Sequence, residues 1–148
     1  MEIINLKDSF NDLTFQQKSE YISLLSQLTE TGDHNYMIDK LSDFCSSLPD
    51  NHIIYVMFLE DNIIGSATVF FEPKIIHSFS YVAHIEDVVV DSSFRGMGVG
   101  RILIQKCIET AKHFNCYKCI LNCSTHNVGF YQKNGFEIKS NQMELRFT

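Results

Sequence analysis

The chain of 148 residues contains no tryptophan, only two prolines and seven glycines, and no excess of basic side chains. With 45% hydrophobic residues, this composition argues against a disordered or low-complexity chain. Twelve Lys and Arg against eighteen Asp and Glu give a net charge of −6, which argues against a nucleic-acid binder with a general basic surface. An anionic ligand would have to be held by a few placed cations.

Long apolar runs are also missing. Segments such as 53–59 and 88–90 are followed by acidic residues, and neither approaches the roughly 18 apolar residues of a membrane-spanning helix. The first residues show no secretion signal, so we expect no membrane partner and a cytoplasmic location. The five cysteines form an odd set, which without a secretion signal indicates reduced thiols. The length fits one domain, residues 1–148.

Apolar spacing predicts two helices in the first third of the chain. Residues 14–28 carry apolar side chains at helical spacing, and Thr14 with Gln17 has the pattern of a capping box. A second helix is predicted after Asp33, ending near Pro49. Its buried side is expected to consist of Met37, Leu41, Phe44, Cys45 and Leu48.

Strands are predicted to follow. Two β-branched and aromatic runs form a hairpin that turns at Asp61-Asn62, and a loop covers 72–80. The remaining pattern predicts a strand at 81–90, a turn at 91–100, a helix at 102–114, a strand at 117–123, a short helix at 125–134 and one or two strands at 135–147. This order indicates an α/β fold with a mixed, mostly antiparallel central sheet flanked by helices.

The segment Arg-Gly-Met-Gly-Val-Gly at 95–100 lies between a predicted strand and a predicted helix. Glycines permit close approach of a ligand, and a helix N-terminus favours phosphate, although a glycine-rich turn without a ligand would show the same pattern. A Walker A loop needs Gly-Lys-Ser/Thr, which is absent, and Arg101 replaces the last glycine of a dinucleotide fingerprint. The pattern Arg-x-x-Gly-x-Gly of Arg95, Gly98 and Gly100 resembles the acetyl-coenzyme A loop of the GCN5-related N-acetyltransferase family.

A narrower resemblance extends from about residue 28 to residue 146. It is carried by Leu28-Thr29, Gly32, Lys74-Ile75-Ile76-His77, HIEDVVV at 84–90, CYKCILNC at 116–123, 127–131, Asn134-Gly135-Phe136, Gln142-Met143 and Arg146. These segments are similar to the glucosamine-6-phosphate N-acetyltransferases within that family. The resemblance implies direct attack by the 2-amino group of D-glucosamine 6-phosphate on acetyl-CoA in a ternary complex, on the route to UDP-N-acetylglucosamine. It also implies a homodimer whose sugar site draws on both subunits.

The resemblance further implies residue roles. Tyr131 would protonate the leaving thiolate, Asp87 would orient the amine, and Asn122 stands where several members carry a carboxylate. The acetyl-CoA contacts would be Val88, Val89, Val90, Arg95, Gly96, Met97, Gly98, Val99, Gly100, Arg101, Asn127 and Tyr131. The sugar phosphate contacts would be Thr29, Lys74, His77, Glu86, Asp87, Tyr117, Lys118 and Arg146.

The amine proton has no obvious acceptor in this pattern. Glu86 and Asp87 are neighbours on a predicted strand, so their side chains are expected on opposite faces with only one toward the substrate. Asn122 can accept a hydrogen bond from an amine but cannot remove its proton. Either Asp87 or a water chain takes the proton, or the amine arrives neutral, or the substrate differs.

A cysteine and histidine cluster offers a competing chemistry. It consists of His113, Cys116, Cys119, Cys123 and His126. Cys-x-x-Cys is a zinc-ligand spacing, but Cys116 has the strand parity opposite to Cys119 and Cys123, so we predict packed thiols and no metal. Two functional alternatives stay open: another acetyltransferase of the superfamily, acting on a protein, peptide or polyamine amine, and a non-catalytic acyl-CoA-binding module.

Overall fold

A five-stranded sheet forms the centre of the computed structural model, which describes residues 1–148. The strands are β1 (Glu2–Asn5), β2 (His52–Leu59), β3 (Asn62–Pro73), β4 (Tyr81–Val90) and β5 (Cys116–Ile120). The helices are α1 (Leu6–Ser9), α2 (Phe15–Ser26), α3 (His34–Ser47), α4 (Ile76–Phe79), α5 (Val99–His113) and α6 (Val128–Lys133). Strands β1 to β4 pair antiparallel in chain order, and β5 pairs parallel with β4. The predicted mixed, mostly antiparallel sheet is confirmed.

Helices cover both faces of this sheet and create two apolar cores. On one face, α1 to α3 contribute Leu6, Ile22 and Leu24, which pack with Val56 of β2. On the other face, α5 contributes side chains that are fully buried: Leu103, Ile104 and Cys107. None of the helices combines the length and the apolar character that crossing a membrane would require.

The two N-terminal helices begin where their capping signals predict. The Gln17 amide donates to Thr14 Oγ1 at 3.1 Å, the Gln17 side chain accepts from the Thr14 amide at 3.0 Å, and α2 begins at the next residue. Asp33 caps α3 in the same way, its side chain accepting from the Tyr36 amide. The buried side of α3 differs from the prediction at Phe44, which is 50% exposed, while Ile38 is buried. Helical spacing alone does not determine which of two adjacent lines of side chains along the helix packs against the sheet.

The hairpin and its following loop are displaced slightly from the prediction. Strand β2 ends at Leu59 and β3 begins at Asn62, so the turn is made by Glu60 and Asp61, with Glu60 at a positive φ of 54°. Strand β3 then continues to Pro73, opposite Tyr81, and shortens the predicted loop. Pairing with β4 extends β3 because each added residue opposite β4 joins the hydrogen-bonded ladder.

The predicted strands in the last part of the chain are absent. Residues 136–148 contain no helix or strand, and several of their apolar side chains are 71–93% exposed. These side chains are Ile138, Met143, Leu145 and Phe147. Alternating apolar residues form a strand only where a neighbouring strand supplies hydrogen-bond partners and a surface covers the apolar side. In this chain the tail does not pair with the free edge of β5, and its apolar side chains are left uncovered.

Candidate active site

The sheet opens between β4 and β5. The two strands pair only from Tyr81 to His84, and beyond this point β4 continues to Val90 while β5 ends at Ile120. Backbone groups of β4 beyond His84 are therefore left without a β5 partner and can bind a ligand. A cleft of about 1090 Å³ adjoins the opening. Its lining includes His84, Glu86, Tyr117, Lys118, Asn122 and Tyr131.

A β-bulge shapes the edge of the opening. Glu86 pairs with Thr68 and Val89 pairs with Ser66, so two residues of β4, Asp87 and Val88, lie opposite one residue of β3. Asp87 takes a positive φ of 49°. Such a bulge interrupts side-chain alternation and re-aims neighbouring residues.

The bulge interrupts the strand alternation on which the expectation of opposite faces for Glu86 and Asp87 depends. Strand alternation places Glu86 on the face covered by α1 to α3, opposite to Ile85, which packs in the α5 core. The charge of Asp87 acts on Glu86 and also on Tyr21 of α2, which lies in that same helical layer. The two carboxylates therefore interact electrostatically at the bulge.

Glu86 has the properties of a proton acceptor. Burial, reinforced by the negative charge of Asp87, raises the pKa of this carboxyl, and the imidazole of His84 partly offsets the rise. A carboxylate with a raised pKa binds a proton more readily near neutral pH than an exposed one. Sequence reasoning missed this, because strand parity identifies a face but not its degree of desolvation.

Tyr131 lies across the cleft on α6, with Phe130 and Phe136 beside it at ring distances of 4.9 and 6.0 Å. Burial raises the pKa of this phenol, with smaller contributions from Cys123 and Cys107. The hydroxyl therefore stays protonated across the physiological range and can donate a proton.

The glycine loop leads into the N-terminus of α5, a helix of 15 residues. Gly98 is the N-cap with φ 82°, Gly96 has φ 79°, and a Cβ built at either position would meet no other atom within 4 Å. Since Gly98 offers no side-chain cap, the first N–H groups of α5 are available to an anion. Open space, left-handed glycines and free donors together fit the phosphates of acetyl-CoA.

Gly100 has a different function in the same segment. A Cβ at this position would lie 3.1 Å from the Phe130 ring, so the glycine allows α6 to pack closely against α5. This contact positions the neighbouring Tyr131. In the sequence, Gly100 was assigned only to the phosphate motif, and its packing against Phe130 was not predicted.

Three predicted sugar-site residues meet at the other end of β5. The ring of His77 stacks on Tyr117 with 4.0 Å between centroids, and Lys118 Nζ lies 5.5 Å from the centroid of the same Tyr117 ring. His77 belongs to α4, an irregular turn in which His77 and Ser78 have positive φ angles. The turn places the His77 ring against Tyr117, which lines the cleft together with Lys118.

Lys74 is paired within its own strand region. Its Nζ lies 3.0 Å from Glu72 Oε1, and His84 Nε2 lies 3.0 Å from the same oxygen. The hydrogen bond with His84, followed by that with Lys74, lowers the pKa of Glu72. The sequence prediction identified Lys74 but missed Glu72 as its partner.

Other predicted residues are not brought to the cleft. Thr29 lies exposed in the connection between α2 and α3, and Asn127 precedes α6 without capping it by its side chain. Arg146 is exposed in the tail and pairs with Glu144 at 3.1 Å. All five cysteines are free thiols, and no group of three or more His, Cys, Asp or Glu side chains is placed to hold a metal ion.

Comparison with known families places this architecture in a class. Residues 18–136 match the model of the acetyltransferase (GNAT) family. The chain belongs to this family, whose members take acetyl-CoA as co-substrate, and it is an acetyltransferase.

More similar relatives narrow the class. The chain is 37% identical to glucosamine 6-phosphate N-acetyltransferase of Arabidopsis thaliana, covering 88% of this chain and 90% of the relative, and 35% identical to the Candida albicans enzyme of that name, covering 87% and 88%. The crystal structure of the Arabidopsis thaliana enzyme matches with a TM-score of 0.85, over 99% of this chain and 98% of that one, at 35% identity. Within the family, the chain therefore belongs with the glucosamine 6-phosphate N-acetyltransferases.

Proposed function

We propose that this enzyme transfers the acetyl group of acetyl-CoA to the 2-amino group of D-glucosamine 6-phosphate, releasing CoA and N-acetyl-D-glucosamine 6-phosphate. The observation that carries the proposal is the cleft beside the β4–β5 opening, which is lined by Glu86, Tyr131 and the cation Lys118. The names of the relatives, which align over nearly their whole length, support the same acceptor. The product would enter the route to UDP-N-acetylglucosamine.

The reaction needs both substrates at once and no covalent enzyme intermediate. When bound, acetyl-CoA supplies the acetyl group, with its phosphates held by the loop from Arg95 to Arg101 and by Asn127. Residues 88–90 lie on the unpaired edge of β4, where backbone donors suit the charge that develops on a thioester oxygen. Holding the amine beside this edge makes the attack effectively intramolecular.

Protons move at two side chains. Glu86 accepts a proton from the ammonium of the acceptor, Asp87 and Asn122 orient the resulting amine, and the new C–N bond forms as the C–S bond breaks. Tyr131 then donates its hydroxyl proton to the leaving thiolate, and the second proton, which the amine nitrogen loses as the amide forms, passes through solvent to the Tyr131 phenolate. The raised pKa values of Glu86 and Tyr131 support these opposite roles, because one favours protonation at the carboxylate and the other keeps the phenol protonated.

The phosphate of the acceptor would be held at the mouth of the cleft. His77, Tyr117 and Lys118 would form the contacting group. Thr29, which is exposed in the α2–α3 connection, and Lys74, which pairs with Glu72, are proposed as further contacts from the resemblance to the relatives. Charge-assisted hydrogen bonds favour a phosphorylated sugar. An unphosphorylated sugar would leave these cations without a partner and should be a poor substrate.

We also propose that the enzyme is a homodimer whose sugar site draws on both subunits. Two features support it: the tail carries exposed alternating apolar side chains, and β5 is an edge strand with one unpaired side. Arg146 in this tail does not line the cleft of its own chain. A second copy would offer its tail a surface and would receive Arg146 at its own site.

Mixing two inactive variants tests the shared site. Tyr131→Phe removes the acid within one chain, and Arg146→Ala removes the cation supplied to the other. Refolding the two variants together should restore about a quarter of wild-type activity, because half of the dimers are mixed and each has one intact site. Activity that stays at the level of the separate variants would show that Arg146 acts within its own chain or not at all.

We further propose that residues 1–148 form one domain and that the enzyme is cytoplasmic. Continuity of the sheet from β1 to β5 supports the first proposal. The five free thiols support the second, since a reducing compartment preserves them.

Release of free thiol from acetyl-CoA tests the reaction. Glucosamine 6-phosphate, glucosamine, spermidine and a lysine peptide are compared at equal concentration with the purified protein. Fast release with the sugar phosphate alone is the expected result, and Lys118→Gln should raise its KM more than it lowers kcat. Release with an amine that lacks phosphate would assign another acceptor, and coenzyme binding without any release would indicate a binding module.

A further inference from the structure

A single glutamine side chain joins the two sides of the site. Gln27 follows the last residue of α2, and its Nε2 donates to Asp91 Oδ2 at 2.9 Å. Its Oε1 accepts from the backbone N–H of Ser92, also at 2.9 Å. Asp91 and Ser92 are 64 and 65 positions from Gln27 in the chain, so both hydrogen bonds are tertiary contacts.

Each partner of Gln27 is itself fixed. Asp91 Oδ1 accepts from the Ser93 N–H at 2.8 Å, and the Asp91 N–H donates to the carbonyl of Ile64 in β3 at 2.9 Å. The hydrogen bond from Gln27 and the one from Ser93 lower the pKa of Asp91, so this carboxylate is ionised and its bonds are charge-assisted. Gln27 is therefore anchored to the first turn after β4, the turn that leads into the glycine loop.

The other side of Gln27 leads to the acceptor. Residues 28–33 connect α2 to α3 and contain Thr29, which the proposed function places at the sugar. This connection has few bonds of its own: the Leu28 and Thr29 amides both donate to the Leu25 carbonyl, at 3.0 and 3.3 Å. Gln27 therefore adds a side-chain attachment between the start of this exposed connection and the turn that follows β4.

Only an amide can form this bridge. Asp91 requires a donor and the Ser92 N–H requires an acceptor, and the two must be offered side by side. Glutamine carries both on one planar group, whereas glutamate would accept from Ser92 and repel Asp91. The residue type, the length of the side chain and the spacing of the partners match.

We propose that Gln27 is a positioning residue that couples the coenzyme loop to the acceptor loop, so that CoA or acetyl-CoA on residues 95–101 orders residues 28–33 for the second substrate. The assignment of residues 28–33 to the acceptor rests on the proposed function. Coenzyme binding restrains the turn at 92–94, and Gln27 transmits that restraint to the loop. Because such coupling is reciprocal, binding of the acceptor should also increase the affinity for the coenzyme.

Hydrogen exchange of residues 28–33, with and without CoA, tests this coupling without any acceptor. In the wild type, saturating CoA should slow exchange of these amides about three- to tenfold, the effect of one or two hydrogen bonds. Gln27→Glu should abolish the slowing. Gln16→Glu is the matched control, because Gln16 lies on the same helix and donates only to Glu20, at 3.3 Å. It should leave the slowing unchanged.

A second substitution reverses the polarity of the bridge. Asp91→Asn supplies an amide whose Nδ2 can donate to the carboxylate of Gln27→Glu, while its Oδ1 still accepts from the Ser93 N–H. The double variant Gln27→Glu with Asp91→Asn should therefore show the CoA-dependent slowing again. Asp91→Asn alone should abolish the slowing. Recovery in the double variant separates a specific bridge from general damage to the fold.

The outcomes are decisive in either direction. Absence of CoA-dependent slowing in the wild type, or its persistence in Gln27→Glu, would overturn the proposal. Because CoA alone is the probe, failure of glucosamine 6-phosphate as a substrate would refute the proposed acceptor and leave the exchange result intact. In the active enzyme, Gln27→Glu should also raise the KM of the sugar phosphate more than it lowers kcat.

Discussion

In the proposed site, residues 88–101 form the coenzyme side from one continuous stretch of chain, whereas the proposed acceptor side draws on four separate segments. The coenzyme side consists of a strand end, a turn with glycines at positive φ, and the N-terminus of α5. The acceptor side combines the α2–α3 connection, the turn at α4, strand β5 and the tail. One side is therefore encoded by local geometry, and the other depends on how distant segments meet.

The largest expected effect concerns Tyr131, which the proposed mechanism places between the coenzyme and the acceptor. Tyr131→Phe should lower kcat by about 100-fold or more, the usual contribution of a positioned acid. The coenzyme Kd should stay within about twofold, because the ring still packs with Phe130 and Phe136. Steady-state rates and calorimetric titration with CoA measure the two quantities. Unchanged turnover would remove Tyr131 from the acid role and assign the ring to packing.

Glu86 should produce a comparable loss with a distinct pH signature. Its raised pKa means that activity is lost as pH falls through that pKa, since the protonated carboxyl cannot accept the amine proton. Glu86→Gln should lower kcat/KM by about 100-fold and remove this acid limb from the pH profile. An acid limb that persists in Glu86→Gln would assign the titration to another group.

His84 sharpens the same measurement. Its imidazole lowers the pKa of Glu86, so His84→Gln should move the acid limb of kcat/KM to higher pH while Glu86 remains in place. A shift to lower pH would show that Glu86 is not the group that titrates. Ring stacking of His84 on Phe70, at 4.5 Å, is lost in the same variant, so thermal unfolding provides the control for stability.

Two glycine substitutions separate the two sides directly. Gly98 and Gly32 both have positive φ, 82° and 96°, with no atom within 4 Å of a built Cβ. Valine at either position should lower the free energy of unfolding by about 1–3 kcal/mol, because a β-branched residue is strained in this region. Gly98→Val should weaken CoA binding about tenfold, as about 1.4 kcal/mol of lost interaction would.

Gly32→Val is the matched case on the acceptor side. It should raise the KM of the acceptor and, because the two loops are coupled through Gln27, weaken CoA binding by less than Gly98→Val does. If both variants weaken CoA equally, the strain acts through the whole fold and the two sides are not separable in this way. Calorimetry with CoA and initial rates with varied acceptor distinguish these results.

The smallest effect concerns thiol reactivity. Burial raises the pKa of Cys45 to about 11 and that of Cys107 to about 12, so few thiolates form at either position and reagents do not reach them. Cys123 is exposed and acts electrostatically on Tyr131, so it should be alkylated first, and CoA should slow its reaction. Mass spectrometry after iodoacetamide treatment measures the order. Equal labelling of Cys107 in the native protein would contradict its burial.

Much of the architecture was predictable from local patterns. Thr14 and Asp33 cap α2 and α3 as predicted, and the strand at 81–90 has its predicted bounds. Capping needs only a side-chain oxygen and a nearby N–H, so a few neighbouring residues determine it. The opposite outcome for residues 135–147 has a physical reason, because a strand forms only by pairing with another strand, and this tail does not pair with the free edge of β5.

The candidate site divides in the same way. The glycine loop was recognisable because its geometry depends on consecutive residues, whereas the pairing of Lys74 and His84 with Glu72 was not. Sequence alternation predicted Glu86 and Asp87 on opposite faces, and it did not reveal the bulge at Asp87 that interrupts this alternation. A bulge is set by the register of two strands, which neither strand carries alone.

The amino-acid sequence by itself determined the mixed sheet, its capped helices, the phosphate-binding turn before α5 and the resemblance to one family of acetyltransferases. Tertiary structure alone decided which carboxylate loses water, how far β4 and β5 separate, and that Gln27 reaches across to Asp91. Helix caps and glycine turns arise from bonds between residues a few positions apart. Burial, strand separation and long-range bridges depend on the packing of segments that the chain brings together only when folded.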